Sequence, residues 1–170
     1  MVLPSPIRHQ DRLLTLNVKR EPGISFPDGA PGITVWPLYI DTENSVWVLY
    51  AAYAPGIRLP MHYHTGAVHF FTVKGSWHYA EYPDDLQTAG SYLYEPAGSV
   101  HSLCIPESNT EDTEGFMVMN GVNVSFDDDG NYLGVEGAGS MEMMIEEWAR
   151  RNGGKLPRYI KPTGIVDFTG

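Results

Sequence analysis

His62 and His64 are separated by a single residue in the run Gly56-Ile-Arg-Leu-Pro-Met-His62-Tyr-His64-Thr-Gly. Side chains two apart share a side in an extended chain, whereas in a helix they diverge by about 200°. If these two imidazoles act together, the segment is a strand. A third histidine, His101, closes a second glycine-rich run, Gly90-Ser-Tyr-Leu-Tyr-Glu-Pro96-Ala-Gly98-Ser-Val-His101. A neighbouring strand carrying it would complete a trio aimed at one point. Three neutral imidazoles converging in this way form a site for Zn, Fe, Ni or Cu. Read singly, each histidine has a plainer meaning, because a lone histidine on an apolar face is more often a hydrogen-bonded core residue than a ligand. The joint spacing favours the metal.

The rest of the chain suits short strands. Glycine and proline are scattered throughout as punctuation, which suggests many strands joined by turns. The segments Ile33–Ile40, Ser45–Tyr53, Ala67–Lys74, Trp77–Tyr82, Ser91–Glu95, Val100–Ile105, Gly115–Met119, Val122–Phe126 and Tyr132–Val135 read as strands. Lys74-Gly75-Ser76 predicts a tight hairpin between the third and fourth of these. One helix is expected over about 141–152. Ser140 would cap it, Met141, Met144, Ile145 and Trp148 form one apolar stripe, and Gly153-Gly154 end it. That stripe is expected to pack on the sheets, with partner binding as the rival reading. The fold class is therefore all-β with a C-terminal helix. Leu156–Thr169 would wrap the surface or meet another subunit.

Strand alternation assigns facings. Thr72 and Lys74 suggest an outer face, which would turn His69, Phe71 and Val73 inward. Trp77, Tyr79 and Glu81 alternate on the next strand, and two aromatics there suggest the inner face, bringing the Glu81 carboxylate inside. A buried carboxylate needs a partner, which a metal or its ligands could supply and which a simple salt bridge could supply equally. Phe71, Trp77, Tyr79, Tyr92 and Tyr94 are candidates to line an aromatic pocket. His9 and His78 lack such context and are expected at the surface. Cys104 alternates away from His101 and Leu103, so packing suits it better than catalysis.

The 170-residue chain most simply makes one domain, residues 1–170. A formal net charge of −10 disfavours nucleic acid and anionic membranes as partners. The acidic clusters at Glu107–Glu114 and Asp127–Asp129 read as solvated loops, since the spacing of a calcium loop is not met. One cysteine, no leader-like N-terminus and no bilayer-length apolar run make a reducing, cytoplasmic setting the expectation.

In these residues the chain resembles the cupin superfamily, whose motifs are G-x5-H-x-H-x3,4-E-x6-G and G-x5-P-x-G-x2-H-x3-N. Gly56, His62, His64, Gly90, Pro96, Gly98 and His101 fit. His69 stands at the motif glutamate, the interval from it to Gly75 is one residue short, and Ile105 stands at the final asparagine. The resemblance implies a jelly-roll or conical β-barrel over about residues 35–126, with a metal at its centre. The runs His62-Tyr-His-Thr-Gly-Ala-Val-His69, Gly75-Ser-Trp-His-Tyr-Ala-Glu81-Tyr82 and Tyr94-Glu-Pro-Ala-Gly98 are similar to those of the 2,4'-dihydroxyacetophenone dioxygenases. They are more distantly similar to the acetylacetone dioxygenases, which carry a glutamate where this chain has His69. What this implies is a non-haem Fe(II) enzyme that uses O2 to cleave a carbon–carbon bond beside a carbonyl. His62, His64 and His101 would hold the metal, Glu81 could be a fourth ligand, and His69 could support the ligands from behind. Zn, Ni or Mn in a lyase, isomerase or decarboxylase is the alternative. A non-enzymatic metal sensor, like the zinc cupin domains attached to anti-sigma factors, is a further one. The resemblance also suggests a homodimer or homotetramer, with the N-terminal 30 residues and the C-terminal tail as natural pairing elements.

Overall fold

The chain runs through β1 (Ile24–Phe26), β2 (Ala30–Asp41), β3 (Val46–Tyr53), β4 (Met61–His64), β5 (Val68–Lys74), β6 (Ser76–Tyr79) and β7 (Tyr82–Thr88). It continues through β8 (Tyr92–Glu95), β9 (Val100–His101), β10 (Leu103–Cys104), β11 (Thr113–Asn120), β12 (Asn123–Phe126) and β13 (Tyr132–Glu136), and ends in the helix α1 (Ala138–Arg151). These elements come from a computed structural model that describes residues 14–26 and 30–162. The expectations for His9, for the N-terminal leader and for the last residues of the tail lie outside the described residues. Among the described residues no helix is long and apolar enough to cross a membrane.

The strands form a six-stranded sheet in the order β1-β2-β3-β11-β5-β8, a four-stranded sheet β13-β12-β4-β9, and a three-stranded sheet β10-β6-β7. All pairings between these strands are antiparallel. The all-β expectation with a late helix therefore holds. Ile24, Ile40, Val68, Phe70 and Trp77 are almost wholly buried in the core. Burying each such side chain contributes about 1.5–3 kcal/mol. The two large indoles also need hydrogen bonds: Trp47 Nε1 donates to the Gly121 carbonyl at 3.0 Å and Trp77 Nε1 to Thr72 Oγ1 at 2.8 Å.

That second bond explains the first correction. Thr72 was expected outside, but it is buried, and so are Val68 and Phe70, while Phe71 and Val73 are exposed and His69 lies with them on the outer face. Thr72 goes in because the Trp77 indole satisfies its hydroxyl, and a one-residue change of phase turns the whole strand over. The expected hairpin also fails. After Gly75, β6 pairs with β7 and β10 instead of β5. Gly75 has φ +73°, and Thr113 crowds the space a Cβ would need, its Cα 2.8 Å away. The turn carries the chain from one sheet to another, and Thr113 Oγ1 anchors it by donating to the Ser76 carbonyl at 3.0 Å.

The helix begins earlier than expected. Gly137 is the N-cap, and Ser140 lies three residues inside, where its Oγ accepts the Gly137 N–H at 2.7 Å. A side chain in the first turn can serve this end of a helix by reaching back, which places Ser140 inside the helix. Met141 and Ile145 are buried against the sheets, with Met144 and Trp148 packed beside them. The tail then lies along β2, where Ile160 exchanges hydrogen bonds with Ile40 and Leu38 at 3.0 and 2.8 Å. The Asp127–Asp129 cluster forms its own turn: Asp127 Oδ1 accepts the N–H groups of Asp129 and Asn131 at 3.0 and 2.8 Å.

Two glycines separate packing from mere flexibility. A methyl group on Gly115 would press on the Phe70 ring and lie 2.8 Å from the Phe71 carbonyl oxygen, whereas one on Gly134 meets nothing within 4 Å. Gly115→Ala is expected to cost about 1–3 kcal/mol in urea denaturation and Gly134→Ala about 0.5 kcal/mol or less; equal midpoints would contradict the packing described.

Candidate metal centre

β4 lies between β12 and β9, and His62 stands directly opposite His101 across the β4–β9 pair. His64 follows on the same face. Their ring centroids are 4.6 Å (His62–His101), 5.2 Å (His62–His64) and 5.7 Å (His64–His101) apart. One ring nitrogen from each lies within 4.8 Å of those of the others. All three residues are buried. The turn before β9 is tied to the same strand, since Gly98, with φ +80°, donates its N–H to the His64 carbonyl at 2.8 Å.

The chemistry at each atom follows from its partner. His62 Nδ1 lies 2.8 Å from the Pro60 carbonyl oxygen. A carbonyl can only accept, so Nδ1 carries the proton and Nε2 keeps its lone pair. Glu95, at the end of β8, reaches across from the large sheet. Its Oε2 lies 3.3 Å from Nε2 of both His64 and His101, and its Oε1 accepts the Tyr79 hydroxyl proton. Glu95 Oε2, His101 Nε2 and His64 Nδ1 are buried without a hydrogen-bond partner. Leaving such atoms unmet costs about 1–3 kcal/mol each. A divalent cation held by the three imidazoles would draw on the His101 Nε2 lone pair and offset the Glu95 charge beside it, and a set of three imidazole nitrogens fits Fe(II), Zn, Ni or Mn.

Burial makes two of the imidazoles hard to charge. It pushes the His62 pKa down, and it pushes that of His64 down to about 4, with the neighbouring histidines adding to the effect and Glu95 opposing it. Burial raises Glu95, but contacts with His101, Tyr79 and His64 outweigh it and hold the carboxyl below its usual range. Tyr79 is pushed far up by burial and by the adjacent Glu95 charge, so its hydroxyl keeps its proton and remains a donor.

The structure does not bring Glu81 into the cluster. β6 ends at Tyr79, the chain turns, and the alternation that pointed Glu81 inward is lost. Glu81 is exposed and accepts the Ser102 N–H at 2.9 Å. Nor does His69 back the histidines. It lies on the outer face, with Nδ1 2.8 Å from the Tyr92 hydroxyl and its ring beside Tyr92 and Tyr94. Phe71, Tyr92 and Tyr94 are exposed, 44, 55 and 54 % respectively, because β8 alternates in step with the inverted β5. Trp77 is fully buried in the core between Phe70 and Tyr79. Of the aromatic candidates only Tyr79 lines the cavity. Glu95 is the residue that sequence reasoning missed. Its signal was its place before Pro96, alternating with Tyr94, on a strand whose outer face could be known only once that of β5 was known.

The site opens on a cavity of about 480 Å³. One wall is apolar, with Val35, Leu49, Phe70 and Met119 from the large sheet and Met141 and Met144 from α1. The other carries His62, His64, Asn123 and Ser125 from the small sheet. A volume of this size suits a small organic molecule held at one end by polar groups.

Residues 15–123 match the family profile described as the ChrR cupin-like domain. Among solved structures, the chain is 40% identical to a protein of unknown function with a cupin-like fold from Ralstonia eutropha JMP134, covering 96% of this chain and 100% of that one, with a TM-score of 0.88. An RmlC-like cupin protein from the same organism is 27% identical, over 85% of this chain and 92% of that one, with a TM-score of 0.76. An acetylacetone dioxygenase from Acinetobacter johnsonii shares the fold at 20% identity, over 85% of this chain and 97% of that one, with a TM-score of 0.66. No curated protein matches the chain.

The depressed His64 pKa sets a pH dependence for the metal-free protein. The unfolded imidazole takes a proton near 6.5 and the folded one only near 4. The stabilisation is complete above about pH 6.5 and is lost as pH falls toward 4, by an amount on the order of 3 kcal/mol. Glu95, held below its ordinary value, acts only at still lower pH. Urea midpoints in a chelator are expected to fall from pH 7.5 to 5, and a flat profile would mean that His64 is not buried as a neutral ring.

Proposed function

This chain belongs to the ChrR cupin-like family of the cupin superfamily, and from that premise we propose that it is a non-haem Fe(II)-dependent dioxygenase. Its substrate would be a small hydroxyketone or diketone, aromatic in the preferred case, cleaved at the carbon–carbon bond beside the carbonyl. The observation that carries this reading is the meeting of three buried imidazoles with one carboxylate, of which His62, His64 and Glu95 line the polar end of a largely apolar cavity.

Iron(II) held by His62, His64 and His101 would gather the paired oxygens of a deprotonated substrate and dioxygen at one centre. The chain's own residues do the rest. Glu95 Oε2 lies beside the histidine nitrogens as a carboxylate and can take the substrate's proton. Tyr79 holds Glu95 by donating to Oε1, and its raised pKa keeps it a donor. The apolar wall excludes water and favours an aryl or alkyl substituent. An aryl hydroxyketone and one O2 would leave as two carboxylic acids, with no external reductant needed.

The sensor reading needs a helix free for a partner, and the Met141–Ile145 side of α1 is packed against the chain's own sheets. A cytoplasmic setting and a homodimer or homotetramer belong to the same proposal. The exposed face of Phe71, Tyr92 and Tyr94 supports self-association, which light scattering checks.

The experiment is oxygen uptake by protein loaded anaerobically with Fe(II), across a panel of hydroxyacetophenones and β-diketones. One O2 per substrate is expected with at least one of them, and Glu95→Gln is expected to lower turnover about 10²-fold while retaining iron. Stoichiometric iron with no uptake across the panel would overturn the reading, and turnover by zinc-loaded protein without O2 would replace it with a lyase or isomerase.

A further inference from the structure

His64 on β4 and Asn123 on β12 stand directly opposite each other in the antiparallel pair. Residues so placed share a face, with Cβ atoms about 4.5–5.5 Å apart. Each carries a buried atom without a hydrogen-bond partner, Nδ1 of His64 and Oδ1 of Asn123. One of these can donate and the other can only accept. The amide's orientation is set from its other side. Glu136 on β13 is the opposite cross-strand neighbour of Asn123. Its carboxylate accepts from Asn123 Nδ2 at 3.3 Å, and Ser125 Oγ lies 3.4 Å from the same nitrogen. Because an ionised carboxylate only accepts, the nitrogen must be the end turned to Glu136, and the oxygen is the end left over.

We propose that Asn123 is a positioning residue for His64, receiving the Nδ1 proton on its Oδ1 when Nε2 is given to a metal. A neutral imidazole has one proton, and a cation on Nε2 leaves it on Nδ1, where burial demands an acceptor. His62 has the same arrangement, with the Pro60 carbonyl as its acceptor. His64 has no backbone carbonyl in that role, and Asn123 supplies the equivalent from the next strand. Glu136 at the exposed rim thereby acts on a buried ligand through one amide. The inference rests on the metal-centre reading and is independent of dioxygenase activity.

The test uses the whole chain loaded with Zn(II) or Co(II). Long-range proton–nitrogen correlation of the zinc form is expected to show His64 protonated at Nδ1, with slow solvent exchange. Asn123→Leu, which is close in size and cannot accept, is expected to weaken Co(II) affinity about 10–100-fold and to speed exchange of that proton. Asn123→Asp retains an acceptor and is expected to stay within about threefold of the parent in Co(II) affinity, a rescue that mere packing would not give. Coordination of His64 through Nδ1, or equal Co(II) affinity in the parent and both variants, would overturn the proposal. If Asn123→Leu does not fold, the spectrum of the parent decides the point alone. Failure of the parent to bind either metal would instead overturn the metal-centre reading, and this inference with it.

Discussion

The pairing of β4 with β9 is the constraint on which the centre depends. It sets His62 opposite His101 and leaves His64 to follow on the same face. A slip of one residue in either strand would turn imidazoles to the opposite side. Several features hold the register. β12 pairs along the whole of β4 on its other side, the Gly98 N–H is bound to the His64 carbonyl, and Leu103, just beyond β9, is buried in the core. These contacts run through backbone groups and an apolar side chain, not through the imidazole nitrogens.

The carboxylate beside two of the histidines has a different origin. Glu95 comes from the edge strand of the large sheet, so the centre is shared between two sheets. Its carboxylate is flanked by a hydroxyl that stays protonated and by the His64 imidazole, which burial keeps neutral at ordinary pH. In a site of low dielectric such a charge is strongly felt. A divalent cation would be offset in part by one formal negative charge, leaving a net positive centre that favours an anionic ligand.

Much of this was legible in the residues. The H-x-H spacing and the second glycine-rich run gave the three histidines, because strand periodicity and turn glycines are local properties. The α1 stripe was legible for the same reason, at a period of 3.6. What stayed hidden was non-local. Thr72 reads as a surface residue until the Trp77 indole is known to reach it, and with that one assignment His69, Phe71 and Val73 change sides. Tyr92 and Tyr94 then follow, because β8 pairs with β5. Glu81 shares the parity of Trp77 and Tyr79 in the sequence until the turn after Tyr79 breaks it, and Glu95 enters because β8 alternates in step with β5. Gly75 signalled a turn correctly, but a turn does not say whether the chain returns to the same sheet.

The cavity is bounded on one side by four methionines, Met117 and Met119 from β11 and Met141 and Met144 from α1. Thioether chains are unbranched and turn easily about three bonds. That boundary can remould itself around guests of different outline while the strands bearing the histidines keep their places. Selectivity between similar guests would then come from the polar end, and breadth of tolerance from the sulfur-lined end. The same softness carries a liability in oxidising surroundings, since conversion of one of these thioethers to a sulfoxide would set a polar group into the dry lining.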